Sequence, residues 1–112
     1  MQSQVVTTDD QAALYRLTGD LHPVHIDPAA AQAAGFDRPI LHGMCTLGAV
    51  TLQVARELHA DPAGLADLDA RLTSVVLPGD TLGVEIWPDG SSYAYRASSA
   101  TGPAISGWGN YS

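Results

Sequence analysis

Gly43-Met44-Cys45-Thr46-Leu47-Gly48-Ala49-Val50-Thr51-Leu52-Gln53-Val54-Ala55-Arg56-Glu57-Leu58 carries one period throughout. Met44, Leu47, Val50, Thr51, Val54, Ala55 and Leu58 recur at three- and four-residue spacing, which places them on one face of an α-helix. Asp61, Pro62 and Gly64 end the run. Beyond Gly64 the period changes to two. Leu68, Ala70, Leu72, Ser74 and Val76 alternate with Asp67, Asp69, Arg71, Thr73 and Val75 until Pro78-Gly79-Asp80, which predicts a strand closed by a turn. Runs from Thr81 to Trp87, Ser92 to Ser99 and Ala104 to Tyr111 follow, separated by Pro88-Asp89-Gly90 and Thr101-Gly102-Pro103. Such turns suit an antiparallel meander.

Upstream of the long helix, Thr8 and Gln11 can form a capping box for a short helix from Asp9 to about Arg16. Thr18 to Pro28 is broken by Gly19, Pro23 and Pro28 and reads as a loop. Asp27 then caps a second short helix with Pro28 at its first position and Gly35 as its stop. Helices first and strands after, without βαβ alternation, give an α+β arrangement with the long helix on one face of the sheet. A sheet of four or five strands covered by one helix leaves an edge and apolar surface open, which predicts an oligomer.

The 112 residues suffice for one domain with a modest core, so residues 1–112 are expected to form a single unit. A hydrophobic content of 46% against 15% charged residues is globular rather than disordered. The formal net charge of -7 and the absence of Lys argue against nucleic acid or an anionic membrane surface as partner. The five arginines, Arg16, Arg38, Arg56, Arg71 and Arg96, are dispersed. No leader-like segment opens the chain and no apolar run is long enough to span a bilayer, so a cytoplasmic protein is expected. The single Cys45 agrees with a reducing compartment and reads as a small buried residue.

The chemistry concentrates in the loop, where Asp20, His22, His25 and Asp27 fall within eight residues. Metal binding is one reading, but the spacing lacks a helix-borne HxxxH or a cysteine pair, and no metal is expected. A solvated, cap-rich turn is a second. General acid and base work is the third, because a carboxylate can orient a water while a neutral imidazole takes or gives a proton. Asp20 and His25 are the natural pair, with Pro23 stiffening the turn between them; the residues alone do not exclude His22 or Asp27.

Tyr15-Arg16-Leu17-Thr18-Gly19-Asp20-Leu21-His22-Pro23-Val24-His25-Ile26-Asp27-Pro28 resembles the signature of the MaoC-like, (R)-specific enoyl-CoA hydratases, or hydratase 2. The segment Ala34 to Gly48 is similar to the family's next block, and Val75 to Leu82 to its strand-turn-strand block. The resemblance implies a hotdog fold, in which a curved antiparallel sheet wraps a long central helix. It implies Asp20 and His25 as the catalytic pair and Gly43 as the glycine whose backbone N–H serves the thioester oxygen. A glycine starting a helix suits that role, since its N–H lacks an intrahelical partner, the helix dipole backs it, and no side chain blocks the carbonyl. His42 reads as a satisfied structural group beside it. The implied activity is hydration of trans-2-enoyl-CoA to (3R)-hydroxyacyl-CoA in fatty-acid, steroid side-chain or related metabolism, with coenzyme A as part of the substrate and no cofactor.

The chain departs from the family in two places. His22 stands where the family usually has Asn, and the chain resembles the catalytic half of the tandem enzymes alone. A homodimer, or a heterodimer or heterotetramer with a second hotdog subunit, would supply the rest. Arg38, Arg56 or a partner's basic residues would meet the phosphates of coenzyme A. Two other functions remain open on the sequence: a non-catalytic hotdog subunit shaping a partner's acyl pocket, and a hotdog thioesterase.

Overall fold

The computed structural model describes residues 1–111. Strand β1 (Gln2–Val6) is followed by helix α1 (Gln11–Tyr15), helix α2 (Pro28–Ala33) and the long helix α3 (Gly43–Glu57). Strands β2 (Leu65–Leu72), β3 (Thr81–Asp89), β4 (Ser92–Ser99) and β5 (Gly102–Tyr111) complete the chain. The five strands form one antiparallel sheet in the order β1-β3-β4-β5-β2, so β1 and β2 are its two edges.

Helix α3 lies against this sheet because its 3.6-residue apolar period matches the two-residue period of the strands opposite. Cys45, Val50 and Val54 meet Leu82, Val84 and Ile86 of β3, Tyr93, Tyr95 and Ala97 of β4, and Ile105 of β5 in one core. Each large aliphatic side chain buried there contributes about 1.5–3 kcal/mol of transfer free energy. The helix ends where His59 takes a left-handed φ of 54°, ahead of Pro62. The α+β class and the helix-on-sheet packing are those expected from the sequence, and the arrangement is a hotdog fold.

Two strands differ from the sequence reading. β1 has no counterpart there: Gln2-Ser3-Gln4-Val5-Val6 has little apolar alternation, and the strand exists because β3 offers it a paired edge, with Gln2 opposite Glu85 and Val6 opposite Thr81. Its Ser3 also ties into α3, donating to Glu57 Oε1 at 2.9 Å and accepting from Gln53 Nε2 at 2.6 Å. β2 stops at Leu72 rather than continuing to Val76. The chain there turns away, with Thr73 N and Ser74 Oγ donating to Ala104 O and Pro103 O. Val76 is buried, but in a loop, where its carbonyl accepts from Leu41 N at 2.8 Å. Leu68 and Leu72 are about half exposed, 52% and 51%, so the alternation in β2 marks an uncovered face rather than the core.

Candidate active site

The loop before α2 is shaped by local chemistry. The α1 start keeps half of the expected capping box: Gln11 Oε1 accepts from Thr8 N–H at 3.1 Å, while the Thr8 hydroxyl donates to Asp10 instead of capping. A 3-10 turn at Arg16–Thr18 ends at Gly19, whose φ of 117° is open to glycine alone at little cost and which redirects the chain into Asp20. Arg16 Nη1 braces the loop by donating to Leu21 O at 3.3 Å. A second 3-10 turn, Pro23–His25, has Pro23 at its first position and is capped by His22, whose Nδ1 accepts from Val24 N at 3.1 Å. Asp27 caps α2 as expected, accepting from Ala29 N at 3.0 Å.

His22 therefore does the work of an asparagine cap: an acceptor atom at the same reach from the backbone satisfies the turn's free N–H. This accounts for the imidazole at the position where the resembled family usually has Asn. Val24, buried with Ala31 and Ile40, anchors the turn in a small second core with Phe36 and Leu77 packed against it.

Three hydrogen bonds clasp this loop to the strap that enters α3. Ile40 N donates to Val24 O at 3.2 Å, His25 Nδ1 lies 2.8 Å from Ile40 O, and His42 Nε2 lies 3.1 Å from Asp20 O. A carbonyl oxygen can only accept, so each ring nitrogen carries its hydrogen there. That leaves His25 Nε2, in the neutral ring, as the bare nitrogen available for proton transfer. The half-buried His25 ring stacks on His42 with centroids 3.7 Å apart and 21° between planes. One ligand-type atom each of Asp20, His25 and His42 lies within 4.8 Å of the other two. Each of the two imidazoles already spends one nitrogen on a backbone carbonyl, which leaves one nitrogen apiece in the cluster with the Asp20 carboxylate.

Gly43 is the first residue of α3, and the first helical bond runs from Thr46 N to His42 O at 3.1 Å. Its N–H therefore has no place in the helical ladder and sits at the positive end of a 15-residue helix. His25, Gly43 and Thr46 share a cavity of about 320 Å³ with Ile40, Leu41 and residues 72–76. A Cβ built on Gly43 would come within 2.6 Å of Leu72 Cδ1, so the missing side chain keeps this wall close to the N–H. The structure thus places Asp20 against His25, and His25 with Gly43 on one cavity.

His42 is the residue the sequence reading misses. Its expected role is that of a satisfied structural group, but it is buried with its Nδ1 lacking any partner among the described residues. A histidine directly before the glycine that opens a helix, and inside an apolar run, is the signal that could have found it. Asp27 stays outside the site as a helix cap, and Cys45 is buried as expected, with Gln11 Nε2 3.4 Å from its Sγ. Of the two arginines considered for phosphate, Arg38 Nη1 donates to Pro78 O at 2.8 Å and Arg56 Nη1 to Gln53 Oε1 at 3.2 Å.

An antiparallel sheet wrapped on a long helix defines a hotdog protein, and the glycine N-terminus of that helix shares a cavity with His25. The model of the MaoC like domain matches residues 1–102, and the chain belongs to that family. It is 45% identical over 100 residues to the peroxisomal hydratase-dehydrogenase-epimerase of Saccharomyces cerevisiae, covering 89% of this chain and 11% of that protein. It is 44% identical over 91 residues to the peroxisomal enoyl-CoA hydratase 2 of Arabidopsis thaliana, covering 80% of this chain and 29% of the relative. The full-length peroxisomal multifunctional enzyme type 2 of Drosophila melanogaster superposes with a TM-score of 0.93 at 40% identity, over 100% of this chain and 22% of that one. The chain thus spans less than a third of the length of each of these relatives.

Proposed function

We propose that this chain is the catalytic subunit of an (R)-specific enoyl-CoA hydratase, a hydro-lyase that adds water to a trans-2-enoyl-CoA to give the (3R)-hydroxyacyl-CoA. The observation that carries this reading is that His25 and Gly43 line one cavity while the Asp20 carboxylate lies beside His25. Similarity to relatives named for enoyl-CoA hydration supports it.

The chemistry follows from the geometry. Conjugation to the thioester makes Cβ of the enoyl group electrophilic, and attack by water there pushes charge onto the carbonyl oxygen. The Gly43 N–H and the α3 dipole stabilise that charge where it develops. Asp20 and His25 hold the water between them; one removes its proton as the C–O bond forms, and a proton is delivered to Cα on the same face. His25 is suited to exchange it because its Nδ1–H is committed to Ile40 O and its Nε2 is free. No cofactor takes part in this scheme; coenzyme A enters only as the thiol of the substrate.

A second hotdog subunit belongs to the same proposal. Both sheet edges are open, and Met44 (64% exposed) and Leu52 (54%) on α3 lie near the exposed Leu68 of β2, lining an apolar depression with Leu47, Gly48 and Leu65. Such a surface is costly in water and is the natural seat of a partner. The ChsH1-ChsH2 complex of Mycobacterium tuberculosis shares the fold with a TM-score of 0.82 at 18% identity. The partner would complete the acyl pocket and, given this chain's net charge of -7, supply most of the positive charge for the phosphates. The setting expected from the sequence is cytoplasmic; among the described residues no helix is long and apolar enough to cross a membrane.

The test is loss of enoyl absorbance with crotonyl-CoA and a longer enoyl-CoA, alone and with any co-purified subunit. Asp20→Asn and His25→Ala should each lower kcat by roughly 10²- to 10⁴-fold. A folded assembly that shows no hydration but releases free thiol from acyl-CoA would replace this reading with a thioesterase. One that shows neither would make the chain a structural subunit.

A further inference from the structure

We infer that His42 is a positioning residue for the Asp20–His25 pair, held with its Nε2–H on the Asp20 carbonyl; this rests on the hydratase reading for its consequence in catalysis, but not for its structural content. His42 is 1% exposed, the most deeply buried of the ionisable side chains near the loop. Its Nε2–H donates to the backbone carbonyl of Asp20 at 3.1 Å, a bond spanning 22 residues that fixes where the Asp20 carboxylate starts from. Its ring stacks on the His25 ring with centroids 3.7 Å apart, and the Tyr15 ring of α1 lies 4.6 Å from it, tilted by 52°. One side chain therefore sets both members of the pair, through a hydrogen bond to one and a ring contact with the other.

Nδ1 has no hydrogen-bond partner among the described residues, so the ring's orientation is set by its Nε2–H bond to Asp20 and by its ring contacts. The titratable groups facing the ring are His25 on the 3-10 turn, the Asp20 carboxylate at the loop, and Tyr15 on α1. His42 thus offers a buried wall against which the His25 ring is held.

The experiment combines ring-nitrogen NMR of the wild-type protein with two variants, His42→Phe, which keeps a ring but loses the donor, and His42→Gln, which restores an N–H donor. The wild-type His42 signals should show the ring hydrogen on Nε2, the nitrogen that faces the Asp20 carbonyl. The Asp20 carbonyl carbon resonance should shift in His42→Phe and return towards wild type in His42→Gln. In turnover, His42→Phe should lower kcat roughly 10- to 100-fold with KM little changed, as expected when a catalytic group is displaced rather than removed, and His42→Gln should recover most of it. An Nδ1–H tautomer, or a His42→Phe protein with unchanged Asp20 signal and unchanged kcat, would each overturn the inference. Absence of hydration in the wild type would overturn the proposed function instead, leaving the NMR result to decide the role of His42.

Discussion

Replacing Gly43 with proline tests the oxyanion role of its N–H with little collateral damage to the fold. Proline lacks the N–H and fits the first position of a helix, where that hydrogen is unused by the ladder. The preceding His42 already has φ -63° and ψ 135°, the extended conformation that a following proline requires. The steric cost is shared by any side chain here: a Cβ meets Leu72 Cδ1 at 2.6 Å, but that is the far end of a flexible side chain 51% exposed, which can rotate aside. Gly43→Ala carries the same Cβ and keeps the N–H, so the ratio of the two variants removes the side-chain effect and leaves the lost donor together with the ring Cδ that replaces it. Loss of one such donor costs about 2.7–4 kcal/mol of barrier, or about 10²–10³ in kcat. The assay is crotonyl-CoA hydration followed by absorbance, with circular dichroism and a thermal melt to establish that both variants fold. A folded Gly43→Pro protein turning over within about threefold of Gly43→Ala would refute the reasoning, since that gap is far below the value of a lost oxyanion donor.

Three further outcomes follow from the packing. His22→Asn should keep hydration within a few-fold because Asn reproduces the cap on Val24 N, whereas His22→Ala should lose about 0.5–2 kcal/mol of stability, read by chemical denaturation; equal stability of the Asn and Ala variants would dismiss the cap. Leu82→Ala, at a fully buried position beneath α3, should cost roughly 2–5 kcal/mol in the same measurement, and a loss under about 1 kcal/mol would mean a core that collapses around the missing atoms. Burial, with the charges of Tyr93 and Asp69 nearby, pushes the Tyr95 phenol up to about 12, and burial raises Tyr93 as well. Because the folded value lies above the ordinary value of 10.0, the stability these phenols contribute is complete below pH 10 and lost as pH rises towards about 12. An ultraviolet titration showing both tyrosines ionising at the ordinary value in the folded state would contradict this.

What can be read in the sequence is whatever a short window encodes. The apolar period of 43–58, the Asp27-Pro28 cap and the turns around Pro88 and Gly102 are local, and the helices and the three central strands appear where those signals put them. β1 is hidden because its stabilisation comes from β3, some 80 residues away, and not from its own Gln-Ser-Gln start. β2 is visible but its end is not, since the Thr73 and Ser74 bonds to Pro103 and Ala104 have no local signature. In the candidate site, Asp20, His25 and Gly43 stand out by residue type and by resemblance. His42 does not, because its importance lies in a stack on His25 and a bond to Asp20 that only the folded chain creates. His22 reads as a departure in the sequence, and its cap on the 3-10 turn becomes visible only with the backbone around it.

The pairing of β1 with β3 has a consequence for how this chain is made. Val6 waits for Thr81 and Gln2 for Glu85, so a ribosome must deliver more than two thirds of the chain before the first strand finds its neighbour. Until then α3 has no β3 to cover Val50 and Val54, and the Ile40–His42 strap lacks the Val76 carbonyl that receives Leu41 N. Closing so long a loop is slow compared with forming the helices. The nascent chain should therefore carry its loop of histidines and aspartates as an unassembled segment until Thr81 and the strands beyond it have been made, with its apolar helix open to chaperones meanwhile.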